Sequence, residues 1–326
     1  MHAIIPVAGK GTRMRPFTWS VPKVLIRLAG NTMLGHIIDE LKASGIDHIT
    51  LIVGYLGDEI VDWARKNYPE IQVDFAIQKT MDGLASAVNL ASPMTADEKT
   101  LVVLGDTLFS ADLSLAFNDK SNMIAVKKVK DPRRFGVVVH DNDRVLEFVE
   151  KPQKFVSDLA IVGIYGFISG SELMDATSRL IESEKKTSGE FQLTDAMQLM
   201  LEEGYPFGCF EVDGWYDCGK PETILKTNRI LLDLKKGSSA GDLENVVIVQ
   251  PVSIDGNVKI ESSVVGPYVS IASGSEIRNS IVRNTIIGCG TYLTNVNIHD
   301  SIIGNEADIS GSAVRINAGS SCKIEI

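Results

Sequence analysis

The residues best suited to do chemistry begin where the apolar run Ile4-Ile5-Pro6-Val7-Ala8 breaks into Gly9-Lys10-Gly11-Thr12-Arg13, with Pro22-Lys23 a little further on. Glycines so closely spaced let the backbone take positive φ and bring its N–H groups up to anionic oxygens. Arg13 adds a charged fork and Lys23 a point charge at the same spot. Together they describe a grip on a polyphosphate. Two common glycine loops do not fit. A Walker loop needs Gly-Lys followed at once by Ser or Thr, and a dinucleotide fingerprint needs a third glycine that opens a helix. Here Gly11 leads into Thr12-Arg13, and Pro16 and Pro22 forbid an immediate helix.

A second chemical group stands at Asp106. The apolar run from Thr100 to Leu104 enters Gly105-Asp106 directly, which puts a carboxylate at the end of a buried strand, a costly place unless a cation meets it. Mg²⁺ takes one or two carboxylates together with phosphate oxygens and waters. Asp217 shares the setting, since the run from Phe207 to Val212 continues through Asp213 into Gly214-Trp215-Tyr216-Asp217. Asp106 and Asp217 are therefore expected to form one Mg²⁺ site. Gln78 follows the apolar stretch Ile71 to Ile77, and Gly83 opens the next helix, so the amide and the glycine backbone can face one slot. A Gln amide offers a donor and an acceptor, which matches the N3–H and adjacent carbonyl of a pyrimidine.

These groups sit in a chain of 326 residues, 44% apolar and 23% charged, which is long for one domain. Lys plus Arg number 32 against 42 Asp plus Glu, a net charge of −10. That balance argues against nucleic acid or an anionic membrane as the main partner and makes any phosphate site a local basic patch. Cys209, Cys218, Cys289 and Cys322 show neither CxxC spacing nor a paired framework, so they read as reduced thiols. The sequence opens on the strand itself with no basic leader, and no apolar run approaches the roughly 20 residues of a membrane span. A cytoplasmic protein is the expectation.

The elements that must position these residues alternate. Thr32 caps a helix through about Leu41, with Met33, Ile37, Ile38 and Leu41 on one face and Gly45 ending it. His48 to Val53 reads as a strand, Asp58 to Lys66 as a helix, Ile71 to Ile77 as a strand and Gly83 to Leu90 as a helix. Such alternation indicates parallel β/α units covered by helices on both faces, with ligands beyond the carboxyl ends of the strands. From Ile124 to Val149 the pattern turns to antiparallel strands. A helix from Pro221 to Lys236 leads to Gly237-Ser238-Ser239-Ala240-Gly241, a plausible linker that divides the chain into domains 1–237 and 238–326. Beyond it, Val252, Val258 and Val264 are six apart, as are Val265, Ile271 and Ile277, then Ile281, Ile287 and Leu293, then Ile303 and Ile309. Six-residue spacing is the pattern of a parallel β-helix whose repeats are the sides of a triangular coil. An open last coil from Ile316 to Ile326 presents a strand edge that another subunit or a cap must cover, which favours a homo-oligomer.

The opening stretch resembles the signature GxGTR(L/M)xPxT…PK of the sugar-phosphate nucleotidyltransferases, or NDP-sugar pyrophosphorylases. Ala8 stands where that family usually has its first glycine, and PVAGKGTR is most similar to the UDP-glucose pyrophosphorylase branch. Further matches follow in order: FGVV at Phe135, EKP at Glu150-Lys151-Pro152, VGIY at Val162-Gly163, Gly189-Glu190 with Leu193-Thr194-Asp195, and Trp215-Tyr216-Asp217-Cys218-Gly219. These resemble glucose-1-phosphate thymidylyltransferases. The resemblance implies a Rossmann-like mixed α/β sheet followed by a short left-handed parallel β-helix. It also implies an NTP and a sugar-1-phosphate as substrates, with Mg²⁺. Ala8, Gly9, Gly11, Thr12, Gln78 and Gly83 would bind the nucleotide. Gly136, Glu150, Lys151, Val162, Gly163 and Trp215 would line the sugar-phosphate pocket, and Arg13, Lys23, Asp106, Lys151 and Asp217 would carry catalysis. The helix after Gly189 is expected to serve mainly as support. Glucose-1-phosphate with dTTP or UTP is the expected pair. Two other readings are a non-catalytic regulatory subunit and a bifunctional enzyme whose coil acylates an amino sugar, for which His299 is the one histidine of that region.

Overall fold

Ala3, Ile4 and Ile5 are all fully buried, so the first strand, β1 (His2–Pro6), is covered on both faces. This computed structural model describes residues 1–117, 120–142, 144–235 and 245–312. They pack as two units, Met1–Ile26 with Asn31–Ile224, and Arg27–Gly30 with Leu225–Ile326. The linker expected at 237–241, the boundary at 237/238, Cys322 and the coil at 316–326 lie outside the described residues.

The first unit is built on a sheet of nine strands. After β1 come β2 (His48–Val53), β3 (Gln72–Ile77), β4 (Thr100–Val103) and a short β5 (Thr107–Ser110). They are followed by β6 (Asn122–Lys128), β7 (Gly136–Asp141), β8 (Arg144–Glu150), β9 (Leu159–Phe167), β10 (Phe207–Glu211) and β11 (Gly214–Asp217). The order is β3-β2-β1-β4-β9-β6-β10-β8-β7, with β1 to β4 parallel and β9 antiparallel to both β4 and β6. β5 and β11 form a separate antiparallel ribbon. The chain winds outward from β1 to β3 and then crosses to the other side of β1 at β4. That reversal opens a crevice at the carboxyl end of β1, where the glycine loop begins.

The helices follow the apolar periods in the sequence. Thr32 Oγ1 accepts the Gly35 amide at 2.9 Å to cap α1 (Met33–Ala43), and Met33, Ile37, Ile38 and Leu41 are buried. Gly45, at φ 79°, ends it, with the Ile46 amide donating to the Leu41 carbonyl at 3.0 Å. α2 is Gly57–Asn67, α3 Leu84–Asn89, α4 Gly170–Glu182 and α5 Leu193–Glu202. Val88, Leu173, Leu180 and Met197 of the last three pack with Ile4, Val102, Ile124 and Phe167 of the sheet in one core.

The second unit takes α6 (Pro221–Lys235) from Leu225 onward, followed by short parallel strands. Three apolar ladders run through it: Ile248, Val265, Val282 and Ile298; Ile254, Ile271, Ile287 and Ile303; Ile260, Ile277, Leu293 and Ile309. Successive rungs are 16 or 17 residues apart in the pairing, as in Ile277 with Leu293 and Ile260 with Ile277. A strict three-sided six-residue repeat would need more, so each turn is one or two residues short. For this reason the expected alignment slips: Ile281 is 41% exposed and Val282 is the interior residue. Likewise Val258 and Val264 are only half-buried, and Ile260 and Val265 take the interior places.

Candidate active site

The loop after β1 is held by its own backbone. Gly11 takes φ 59°, its carbonyl accepts the Met14 amide at 2.8 Å and the Thr18 hydroxyl at 2.9 Å, and Thr12–Met14 form one 3₁₀ turn. A Cβ on Gly11 would lie 3.0 Å from both Lys23 Cβ and Thr18 Cγ2. Glycine is therefore needed for conformation and for space. Gly9 differs from the expectation: it does not adopt positive φ, and a Cβ there would meet nothing within 4 Å. What its missing side chain leaves open is the cavity itself.

That cavity, about 520 Å³, is lined by Ala8, Gly9, Gly11, Thr12, Gln78 and Gly83, with Arg13, Lys23 and Asp106 at one end. All six residues expected around the nucleotide thus come together. Gln78 is buried, its backbone amide fixed on the Val53 carbonyl at 2.7 Å at the end of β2. Gly83, at φ 133°, lies so close to Phe191 that a Cβ would come within 2.2 Å of its carbonyl oxygen. Glu190 also lines this space.

Arg13, Leu84, Leu104 and Asp106 border a second cavity of about 450 Å³ as well. Lys23, buried although a lysine, donates from Nζ to Asp106 Oδ2 at 2.8 Å, while the Asp106 side chain remains 48% exposed. Asp217 pairs with Thr107 across the β5/β11 ribbon, which carries it to the same rim. Its Oδ1 accepts the Gly219 amide at 2.8 Å, and a Cβ on Gly219 would stand 3.1 Å from Arg13 Nη2. Two carboxylates and two cations thus meet where the cavities join.

The second cavity holds Gly136, Glu150, Val162 and Trp215. Glu150, with a side chain only 10% exposed, accepts the Thr194 hydroxyl at 2.7 Å on Oε2. A Cβ on Gly136 would sit 2.9 Å from that same oxygen, so the glycine clears the carboxylate's place. Burial first, then the Glu150 charge, hold the Tyr165 phenol above its ordinary pKa. Trp215 meets Phe135 edge to face at 4.9 Å.

Two expected residues do not line either cavity. The Lys151 ammonium rests 3.4 Å from Glu150 Oε1, because the chain turns at Lys151 with φ 44°. Gly163, at φ 97°, faces Leu104, whose Cδ1 a Cβ would approach to 2.6 Å. Its carbonyl accepts the Leu104 amide at 2.9 Å, so it steers the strand end beside Asp106. Conversely, Gln192 and Thr194 at the start of α5 line the second cavity, so the start of that helix borders the candidate site as well as supporting it. A signal was present: Gln192 occupies the N-cap position without a side-chain cap bond, where Ser, Thr, Asn or Asp is preferred. Arg134, exposed at the rim, had no spacing to mark it among ordinary surface arginines.

The donor set suits a hard cation. Asp106 and Asp217 offer oxygen alone, and the adjoining cavity leaves room for phosphate oxygens, as Mg²⁺ prefers. Lys23 and Arg13 balance the two carboxylates at the same rim.

Comparison with known proteins gives the family of the chain. Residues 2–233 match the model of the nucleotidyl transferase family. The chain is 32% identical to the low-salt glycan biosynthesis nucleotidyltransferase Agl11 of Haloferax volcanii, over 96% of this chain and 94% of the relative. It is 34% identical to the bifunctional protein GlmU of Methanocaldococcus jannaschii, over 97% of this chain and 81% of the relative. Among solved structures, a glucose-1-phosphate thymidylyltransferase from Bacillus anthracis, crystallised with sucrose, is similar with TM-score 0.62 and 25% identity, covering 74% of this chain and 98% of that one. The chain thus belongs to the nucleotidyl transferase family.

Proposed function

We propose that this nucleotidyltransferase makes an NDP-sugar and pyrophosphate from a pyrimidine NTP, dTTP or UTP, and a sugar-1-phosphate, with glucose-1-phosphate the favoured acceptor. The observation that carries the reading is the pair of cavities that share Arg13 and Asp106. The loop side takes the nucleotide, its base against Gln78 and Gly83. The Glu150 side takes the sugar, whose hydroxyls meet Glu150 and Thr194 under Trp215. An oxygen of the sugar phosphate forms a bond to the α-phosphorus while the bond from that phosphorus to the bridging oxygen breaks, and pyrophosphate leaves with the electron pair. No side chain need accept a proton or form a covalent intermediate, so alignment and charge balance are the protein's work. Arg13 faces the leaving pyrophosphate and Lys23 the phosphates. Lys151 serves the sugar phosphate by swinging from Glu150. Asp106 and Asp217 would hold Mg²⁺, which when bound would supply charge neutralisation at the α-phosphate.

The glucose choice rests on the FGVV, EKP and VGIY segments and on the thymidylyltransferase neighbour. The test is pyrophosphate release over a panel of NTPs and sugar-1-phosphates. Preference for dTTP and UTP with glucose-1-phosphate supports the reading; equal turnover with ATP or GTP rejects it.

In this reading the second unit is a left-handed parallel β-helix that supports a homo-oligomer. Its first strand, Val247–Ile248, pairs on one side only among the described residues, and Val247 is 56% exposed. Light scattering of the intact protein tests the assembly. One observation favours an additional acyl transfer: His299 Nδ1 lies 2.9 Å from Asp300 Oδ2, an arrangement that leaves Nε2 as a base, and the GlmU relative is named bifunctional. Consumption of acetyl-CoA with an amino-sugar phosphate, lost in His299→Gln, would establish that activity.

A further inference from the structure

At the other end of the parallel strands, away from the glycine loop, His2 opens β1 and pairs in the sheet with His48, which opens β2. Their rings stack with centroids 4.3 Å apart. Glu98 stands two residues before β4, and one ligand atom from each of His2, His48 and Glu98 lies within 4.8 Å of the others. His2 is completely buried, yet its Nδ1 has no hydrogen-bond partner. Burying such an atom unsatisfied is costly, and nothing in the catalytic scheme uses it.

One ring nitrogen of each histidine is already engaged. His2 Nε2 is 2.7 Å from Thr50 Oγ1, and His48 Nε2 is 2.8 Å from Asp74 Oδ2. A carboxylate on His48 Nε2 keeps the proton there and leaves that ring's other nitrogen as a lone-pair donor, the usual outer support of a metal-binding histidine, and the Thr50 hydroxyl can accept the His2 Nε2–H in the same way.

The geometry points to a second metal site, in which His2, His48 and Glu98 hold a divalent transition-metal ion of the Zn²⁺ class. Two imidazoles and one carboxylate favour such an ion over Mg²⁺, which prefers oxygen alone. Tetrahedral bonds of about 2.0–2.1 Å put donors about 3.3 Å apart, so the three groups close in slightly. The more exposed His48 and Glu98 can supply that movement. The Met1 ammonium, 3.5 Å from Glu98 Oε2, gives that carboxylate its present counter-charge, which the metal would replace. Three protein ligands leave a fourth position for water. The ion would fasten β1, β2 and the approach to β4 at their amino ends, a structural clip on the strands whose opposite ends carry the reaction.

The full chain, stripped with chelator and titrated with Zn²⁺ without nucleotide, tests this. The Asp106→Asn/Asp217→Asn variant separates the new site from the catalytic carboxylates. Both proteins should retain about one equivalent of Zn²⁺ after gel filtration and gain thermal stability, and X-ray absorption should show two imidazoles on the ion. His48→Gln and Glu98→Gln should lose retention. Asp74→Asn, which touches no metal, should weaken Zn²⁺ about 10–100-fold by releasing His48. Circular dichroism checks that each variant is folded. The proposal fails if the wild type takes up no Zn²⁺, if His48→Gln binds it as tightly as wild type, or if uptake disappears with the two aspartates.

Discussion

Asp217 stands directly across an antiparallel ribbon from Thr107, the neighbour of Asp106, so two carboxylates far apart in sequence share one rim. The ribbon is separate from the main sheet. Asp106→Asn and Asp217→Asn should each lower kcat by about 10²–10³-fold or more, the usual cost of removing one aligned charge from a transition state. Circular dichroism should be unchanged. Near-wild-type pyrophosphate release at saturating Mg²⁺ by either variant would remove it from the metal set.

Gly9 and Gly11 should separate binding from folding. Gly11→Ala forces a side chain into left-handed backbone and against Lys23, costing about 1–2 kcal/mol of stability before any contact is counted. Gly9→Ala meets no protein atom, so its Tm should hold while the methyl intrudes on the nucleotide and raises the KM for NTP. Thermal melts and initial rates on the two variants read both effects. Equal losses of Tm would contradict the distinction.

The sheet was legible because apolar runs and glycine breaks set β1 to β4 and the helices between them, and the cavities then follow from strand order. Asp106 could be placed because it follows a buried strand, Gly83 because it opens a helix, and Gln78 because it follows a strand, although that strand is the sheet's edge with Phe75 and Ile77 exposed. What could not be read was side-chain direction in irregular backbone. Lys151 and Gly163 lie in the expected segments, but φ of 44° and 97° turns one toward Glu150 and the other against Leu104. The slip from Ile281 to Val282 has the same origin, since losing one residue in a turn reverses which neighbour faces inward.

Glu150 and Thr194 share a hydrogen bond in the second cavity, and each should report on the sugar. Glu150→Gln and Thr194→Val should raise the KM for the sugar-1-phosphate about 10–150-fold and leave the KM for NTP little changed, since a hydrogen bond to a charged group is worth about 1.5–3 kcal/mol. Steady-state kinetics with each substrate varied in turn will show whether the effect is confined to the sugar. An equal rise in both constants would move these residues out of the sugar pocket.

In the second unit, Ile277 is fully buried in its ladder between Ile260 and Leu293, while Ile281, four residues on, is 41% exposed. Ile277→Ala should therefore cost about 2–5 kcal/mol, and Ile281→Ala no more than about 0.5 kcal/mol. Denaturant unfolding monitored on both variants measures the difference. Equal costs would mean that the interior phase has been assigned wrongly.

Gln78 is buried at the end of β3, across the loop from Gly83, and in the proposed function it reads the base. If its amide pairs with a pyrimidine edge, Gln78→Ala leaves base atoms without their partner, a loss of about 1–3 kcal/mol. kcat/KM for dTTP and UTP should fall by roughly 5–150-fold while the poor rates with ATP and GTP stay as they are. Selectivity should collapse from above rather than by a gain with purines. Thymine and uracil differ by one methyl, worth only about 1–3 kcal/mol in an apolar pocket, so the wild type should use both. Rates for all four nucleotides, measured on wild type and variant at fixed Mg²⁺, decide it: an unchanged ratio of pyrimidine to purine use after the substitution would sink the assignment.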